Sequence, residues 1–164
     1  MSKLISSILL SVTLLLPLPS QQQTFNFETA IAQDIGKQVL CMAKNIYYEA
    51  AMEPFEGKLA VAQVTMNRAN SSQFPSDICG VVYQKVNNTY QFSWVGEKVS
   101  GIKNKYAWEE CLIVARKALT EHKLHDTIYK TKSMYFHNTS VHPEWKFKYV
   151  AKIGNHLFYS KNRS

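Results

Sequence analysis

Apolar residues recur at helical spacing in three segments of the chain. The first runs from Lys37 to Ala50, where apolar side chains return every three or four residues and predict an amphipathic helix. The second runs from Pro54 to about Ala69 and is apolar on nearly every side, which predicts a central, buried helix. The third, YAWEECLIVARKALT, carries a single apolar stripe that would face a core. The chain therefore predicts a helical body.

Shorter elements are predicted between and after these helices. Asp77 is a suitable cap for a short helix over Ile78 to Val86. If the segment YQFSW, Tyr90 to Trp94, is extended, its three aromatic rings lie on one side. Towards the C-terminus the pattern changes to strand-like alternation in SMYFHN, KFKYVAKI and HLFYS. The predicted fold class is α+β, a mainly helical domain with a small antiparallel β-sheet.

The first twenty residues differ from the rest of the chain. Lys3 is followed by an apolar run from Leu4 to Leu16, which is short for a bilayer span and typical of a secretory signal peptide. We therefore predict a signal peptide over 1–20, a linker or frayed leader over 21–35, and a domain over 36–164. The alternative is an uncleaved anchor, and only that segment would contact a membrane. Either way the domain is expected to be exported to the periplasm, cell wall or exterior.

The net charge of +7 favours an anionic partner. Nucleic acid, anionic lipid and an acidic wall polymer all fit this sign. The cations are spread along the chain rather than clustered in one arm, which argues against nucleic acid.

The three cysteines leave two arrangements open. In an oxidising compartment, Cys41 and Cys79 are the candidate disulfide, because Cys111 lies on the apolar stripe of a predicted helix and is expected to stay reduced and buried. The alternative is three buried thiols.

Three carboxylates fall within NIYYEAAMEPFEG. Glu49 lies at the margin of the first apolar stripe, one turn after Asn45. Partial burial there would raise its pKa towards the value that a general acid needs, although the spacing alone favours a solvated helix-end carboxylate. Glu53 and Glu56 are better explained by a turn and by the positive end of the second helix. Glycoside hydrolysis usually takes two carboxylates, and Glu53 could supply the second.

Two further groups have both a structural and a functional interpretation. The rings of YQFSW could stack on sugars or belong to a core strand, and its polar residues tip the balance slightly towards a sugar-binding groove. A zinc site would need three ligands that converge, and the candidate ligands lack HExxH spacing. Structural roles are therefore favoured for the histidines, and no metal or cofactor is expected. The candidate ligands are His137, His142, His156 and Glu144. A serine or cysteine nucleophile stays open, without a GxSxG motif to support it.

Taken together, a series of motifs resembles the bacterial cell-wall hydrolases of the SleB/CwlJ type, the spore-cortex lytic enzymes and their relatives. The series covers roughly Gly36 to Tyr159 and consists of CMAKNIYYEA, EPFEGKLAVAQVTMNR, FPSDICGVVYQ, QFSW, SMYFHN, VHPEW and IGNHLFY. The resemblance implies a lysozyme-like fold related to lytic transglycosylases, with peptidoglycan as substrate. It places the family's catalytic glutamate at Glu49, and it places QFSW, Gln91 to Trp94, beside the cleft.

The resemblance thus implies a monomeric enzyme that cuts the MurNAc–GlcNAc β-1,4 bond, as a lytic transglycosylase with one catalytic acid. The expected substrate-binding residues are Tyr48, Asn67, Gln91, Phe92 and Trp94. A muramidase that uses water is the close variant. A non-catalytic wall-binding module that uses Phe92 and Trp94, and a zinc amidase, are the rivals.

Overall fold

The computed structural model describes residues 21–161, with side-chain surroundings from Phe27 onward. The predicted signal peptide therefore lies outside the described residues. Within residues 21–161, no helix combines the length and the hydrophobicity that a membrane span requires.

Within residues 21–161, five α-helices form the body of the domain. They are α1 (Gln21–Ala50), α2 (Phe55–Ala69), α3 (Ile78–Val82), α4 (Lys105–Thr120) and α5 (Asp126–Lys130). The residues predicted as a linker, 21–35, form the first half of α1, and the predicted helix over Lys37 to Ala50 forms its second half. The short helix α5 was not expected from the sequence.

The strands form two small antiparallel sheets. β1 (Lys85–Val86) pairs with β2 (Thr89–Tyr90), and β3 (Tyr135–Asn138), β4 (Lys148–Ile153) and β5 (His156–Ser160) form a sheet in the order β3-β5-β4. On β5, the buried side chains alternate with half-buried ones, so one face of this sheet covers the helices. The α+β class with a small antiparallel sheet is confirmed.

One local prediction is wrong between α3 and α4: the helix predicted up to Val86 ends at Val82. The segment YQFSW is not extended throughout, since it leaves the strand at Tyr90 and forms a 3₁₀ helix at Ser93–Gly96. The cause is the pair Asn87 and Asn88, whose φ angles of 48° and 64° make the tight turn of a two-strand hairpin. Asparagine tolerates this left-handed conformation better than most residues.

The core lies around α2, as its uniformly apolar middle predicts. Leu59 and Ala62 pack against the buried residues of α1, α3 and α4, while Val61 and Val64 pack against Phe158 of β5. The helix thus has buried partners on opposite sides.

A disulfide joins α1 to α3. The Cα atoms of Cys41 and Cys79 lie 5.2 Å apart and their sulfurs are bonded. Cys111 is free and fully buried on α4. The bridged pair is the one that the sequence favours.

Candidate active site

Glu49 is the penultimate residue of α1, and its side chain is half-buried. Burial raises the pKa of its carboxyl from 4.5 to about 7, while the positive charge of Arg68 opposes that rise and the negative charge of Glu97 adds to it. At neutral pH a large share of the carboxyl groups therefore keep their proton. A carboxyl that is protonated near pH 7 can act as a general acid.

Arg68 is a buried cation in the last turn of α2, with 6% of its surface exposed. Its Nε donates a hydrogen bond to the carbonyl of Met134 at 2.8 Å, and its guanidinium lies 4.9 Å from the ring centre of Phe92. Its Nη1 is buried without a hydrogen-bond partner among the described residues. Burial lowers the pKa of Arg68 to about 10, so it remains charged at neutral pH and sets a fixed positive potential near Glu49.

Trp94 is held by two residues of α1. Its indole Nε1–H donates to Oδ1 of Asn45 at 3.1 Å, and its ring stacks on Tyr48 with centroids 4.7 Å apart. Asn45 in turn donates from Nδ2 to Oγ1 of Thr65 at 3.1 Å. Since Asn45 and Tyr48 precede Glu49 by one turn or less, these contacts lock the QFSW segment onto the helix end that carries Glu49.

The QFSW side chains split into two buried and two exposed ones. Phe92 and Trp94 are 3% and 8% exposed, whereas Gln91 and Ser93 are exposed. The two rings therefore belong to the core beside Glu49 rather than to an open stacking platform. Their substrate-binding roles, and that of Gln91, stay predictions.

The 3₁₀ helix that follows Phe92 places Glu97 near Glu49. It ends at Gly96, and the backbone N–H of the next residue, Glu97, donates to the carbonyl of Trp94 at 3.2 Å. Because Trp94 is anchored on α1, the exposed carboxylate of Glu97 is carried close enough to Glu49 to raise its pKa.

Asn67 is engaged in structural hydrogen bonds. Its Nδ2 donates to the carbonyls of Ile128 and Ser133 at 3.0 and 2.9 Å, and its Oδ1 accepts from Gln63 at 3.1 Å. The Nδ2 group thus connects α2 to α5 and to the residues before β3, while Oδ1 is bonded within α2 itself. The predicted role of Asn67 in substrate binding stays a prediction that these contacts do not favour.

The other two carboxylates of the NIYYEAAMEPFEG segment have positions that a structural role explains. Glu53 is 8% exposed, and its carboxylate accepts from the backbone N–H of Asn155 at 2.8 Å and from its Nδ2 at 3.1 Å. Glu56 is exposed in the first turn of α2, where a carboxylate stabilises the helix dipole. Both positions match the structural interpretation of the sequence.

The candidate zinc ligands do not converge in the described part of the chain. Within it, no group of three or more His, Cys, Asp or Glu side chains is placed to hold a metal ion. His137 is hydrogen-bonded to Tyr159 OH at 3.0 Å, and His156 is buried against Phe136 and Phe158.

Sequence reasoning missed the two charges that act on Glu49. The sequence around Glu97 does not indicate that it lies near Glu49, because its position depends on the turn at Asn87 and Asn88. The sequence around Arg68 does indicate its burial: a cation at the end of a helix that is apolar on nearly every side must be buried with partners.

The chain matches the model of the Cell Wall Hydrolase family over residues 52–159, a span that begins three residues after Glu49. The spore cortex-lytic enzyme of Oceanobacillus iheyensis is 28% identical over 120 residues, which cover 71% of this chain and 39% of that protein. The spore cortex-lytic enzyme of Bacillus subtilis is 39% identical over 49 residues, or 30% of this chain and 16% of that protein. The chain thus spans less than half the length of these relatives.

Solved structures extend the likeness to the fold. The catalytic domain of the germination-specific lytic transglycosylase SleB from Bacillus anthracis is 25% identical, with a TM-score of 0.55 over 75% of this chain and 93% of that one. The catalytic domain of the Bacillus cereus SleB protein, 24% identical, has the same fold with a TM-score of 0.53 over 75% of this chain and 89% of its own. With two thirds of its length matched by one family model, the chain belongs to the cell wall hydrolase family of enzymes.

Proposed function

We propose that this enzyme cleaves peptidoglycan glycan strands at the MurNAc–GlcNAc β-1,4 bond, as a lytic transglycosylase in the cell envelope. The observation that carries the proposal is Glu49, a half-buried carboxyl at a helix end whose pKa is raised to about 7. The likeness to a SleB catalytic domain described as a lytic transglycosylase supports the same reaction class.

In the first step, Glu49 donates its proton to the glycosidic oxygen as the bond from that oxygen to C1 of MurNAc breaks. Positive charge develops on C1 and on the ring oxygen, and the new Glu49 carboxylate stabilises it. Arg68 limits how far burial raises the pKa of Glu49, so the carboxyl can both lose and regain a proton near neutral pH.

In the second step, the Glu49 carboxylate removes the proton from the C6 hydroxyl of the same MurNAc. The C6 oxygen then attacks C1, which gives a 1,6-anhydro end and returns the proton to Glu49. One carboxyl completes the cycle and no water is consumed. A mechanism with one carboxyl suits this site, because the neighbouring carboxylate of Glu53 is already hydrogen-bonded to Asn155.

A muramidase is the second candidate, and Glu97 is the observation that favours it. Hydrolysis normally needs a second carboxylate about 5–10 Å from the acid. Glu97 is exposed and close enough to act on the charge of Glu49, so it is the candidate base for an attacking water.

The test is digestion of purified sacculi by wild-type protein and by Glu49→Gln, with Glu56→Gln as the matched control on an exposed carboxylate. We expect Glu49→Gln to retain its circular dichroism spectrum and lose glycan cleavage, while Glu56→Gln stays active. Soluble muropeptides released by Glu49→Gln would overturn the assignment.

Mass spectrometry of the products separates the candidates. Anhydro-MurNAc ends are expected for the transglycosylase, and reducing MurNAc ends would establish the muramidase. Wild-type protein that binds sacculi and releases no fragments would instead be a wall-binding module, whereas cut stem peptides with intact glycan would indicate an amidase.

A further inference from the structure

A cleft of about 910 Å³ lies at the junction of α5, β4 and the end of β5. Its lining residues include Lys130, Lys132, Met134, Lys148 and Lys161. Glu49 is not one of them, so the cleft is distinct from the catalytic position.

The cleft is strongly cationic. Four of its lining residues are lysines and none is an aspartate or glutamate. Lys130 pairs with Asp126, outside the cleft, at 2.9 Å, and Lys161 donates to Gln73. Lys132 and Lys148 have no carboxylate partner within residues 27–161. Cations concentrated in a concavity attract anionic groups more strongly than the same charges on a flat surface.

Arg68 links the cleft to the proposed catalytic carboxyl. Met134 lines the cleft, and its carbonyl accepts the hydrogen bond from Nε of Arg68 at 2.8 Å. Arg68 also acts electrostatically on Glu49. Arg68 therefore contacts a residue of the cationic cleft and also acts on the charge of the proposed general acid.

We propose that this cleft binds the carboxylates of the peptide stems carried by the MurNAc residue whose bond is cut. The inference rests on the proposed function, because a stem begins on that sugar and must leave the catalytic position towards a neighbouring surface. Its free carboxylates complement the lysines. A lysine acts as a mobile point charge without the fixed fork of arginine, so such a cleft tolerates stems of different length and cross-linking.

The kinetic test compares two substrates. One is glycan with intact stems, and the other is the same glycan stripped of stems by an amidase. For Lys132→Gln/Lys148→Gln we expect the apparent KM on stem-bearing glycan to rise roughly tenfold, the loss expected for two partly screened ion pairs. The kcat is unchanged, and the stripped glycan is cut as by wild type. The control Lys44→Gln/Lys105→Gln removes two exposed lysines of α1 and α4 and should change neither substrate. An equal loss on both substrates, or no loss on either, would overturn the proposal.

A binding test works even if the proposed cleavage fails. In the Glu49→Gln background, cosedimentation with sacculi is measured with and without the two lysine substitutions, at low and high salt. We expect the substitutions to weaken binding to stem-bearing sacculi and to reduce its salt dependence, without effect on stripped sacculi. Sacculi freed of phosphodiester polymers by hydrofluoric acid provide the second arm. If that treatment alone abolishes the effect of the lysines, a phosphate-bearing polymer is the ligand and the stem proposal is wrong.

Discussion

The carboxylate of Glu53 is held by Asn155, a residue 102 positions further along the chain. Oε2 accepts from the backbone N–H at 2.8 Å and Oε1 from the side-chain amide at 3.1 Å. The bond joins the α1–α2 turn to the turn between β4 and β5. Gly154 has a φ of +57°, and a Cβ there would lie 1.9 Å from Oε2 of Glu53, so only glycine permits this approach.

Glu53→Gln is therefore expected to destabilise the protein without removing its chemistry. The amide retains one acceptor and turns its NH₂ towards a donor of Asn155, at a cost of about 2 kcal/mol in the free energy of unfolding. Urea denaturation measures this cost, and the folded variant should cut sacculi at the wild-type rate. Intact folding with abolished cleavage would instead make Glu53 the second catalytic carboxylate.

The rate of cleavage should fall as the pH rises through the pKa of Glu49. The general acid must carry its proton, and its pKa is about 7, so the rate should be highest below pH 7 and fall about tenfold per unit well above it. Initial rates on sacculi between pH 5 and 9 measure this limb. A flat profile over pH 6–9 would contradict a titrating acid at this position.

Glu97→Gln tests the same dependence of the cleavage rate on pH, because it predicts the direction in which the fall in rate shifts. The negative charge of Glu97 raises the pKa of Glu49, so its removal should shift the fall in rate to lower pH. In a transglycosylase the maximal rate at acid pH is retained, because no second carboxylate takes part. Loss of activity at every pH would favour the muramidase.

Glu49 should also destabilise the folded protein at alkaline pH. Its folded-state pKa lies above the unfolded value, so between pH 4.5 and 7 the folded state holds a proton that the unfolded chain has released. The stabilisation that this proton provides is complete below pH 4.5 and is lost as the pH rises through 7. At pH 8 the burial of the charged carboxylate costs about 2–3 kcal/mol, after allowance for its partial exposure.

Glu49→Gln removes that cost. Relative to wild type, its free energy of unfolding should rise by about 2–3 kcal/mol between pH 4.5 and pH 8. Denaturant titrations at the two pH values, with the exposed Glu56→Gln as control, test this. Parallel curves for wild type and Glu49→Gln would mean that the carboxyl is solvated.

The bridge between Cys41 and Cys79 closes a loop with a sequence separation of 38 residues. By the chain-entropy relation, such a loop contributes about 3–4 kcal/mol to the free energy of unfolding. Reductant should lower the Tm of the wild-type protein and leave that of Cys41→Ala/Cys79→Ala unchanged. A wild-type Tm that is insensitive to reductant would show that the thiols are unpaired in solution.

Features that depend on local periodicity could be read from the sequence. The apolar spacing identified α2, α4 and the second half of α1, and alternation identified β3, β4 and β5. It also put Glu49 at the margin of a buried face, because helix geometry relates neighbouring positions regardless of what packs against them. Elements that need distant partners were missed or misplaced: α5 was not expected, and the helix that starts at Ile78 was predicted to reach Val86 but ends at Val82.

What the sequence alone determined, then, is that α1 ends with a carboxyl beside an apolar stripe and that α2 is buried. The tertiary structure decided which charges meet that carboxyl, since Arg68 and Glu97 reach it from two other elements. It also decided that Glu53 is bound by Asn155, and that four lysines from separated segments line one cleft. The physical reason is that desolvation and Coulomb interaction depend on distance in space, which only the packing of α1, α2 and the sheet fixes.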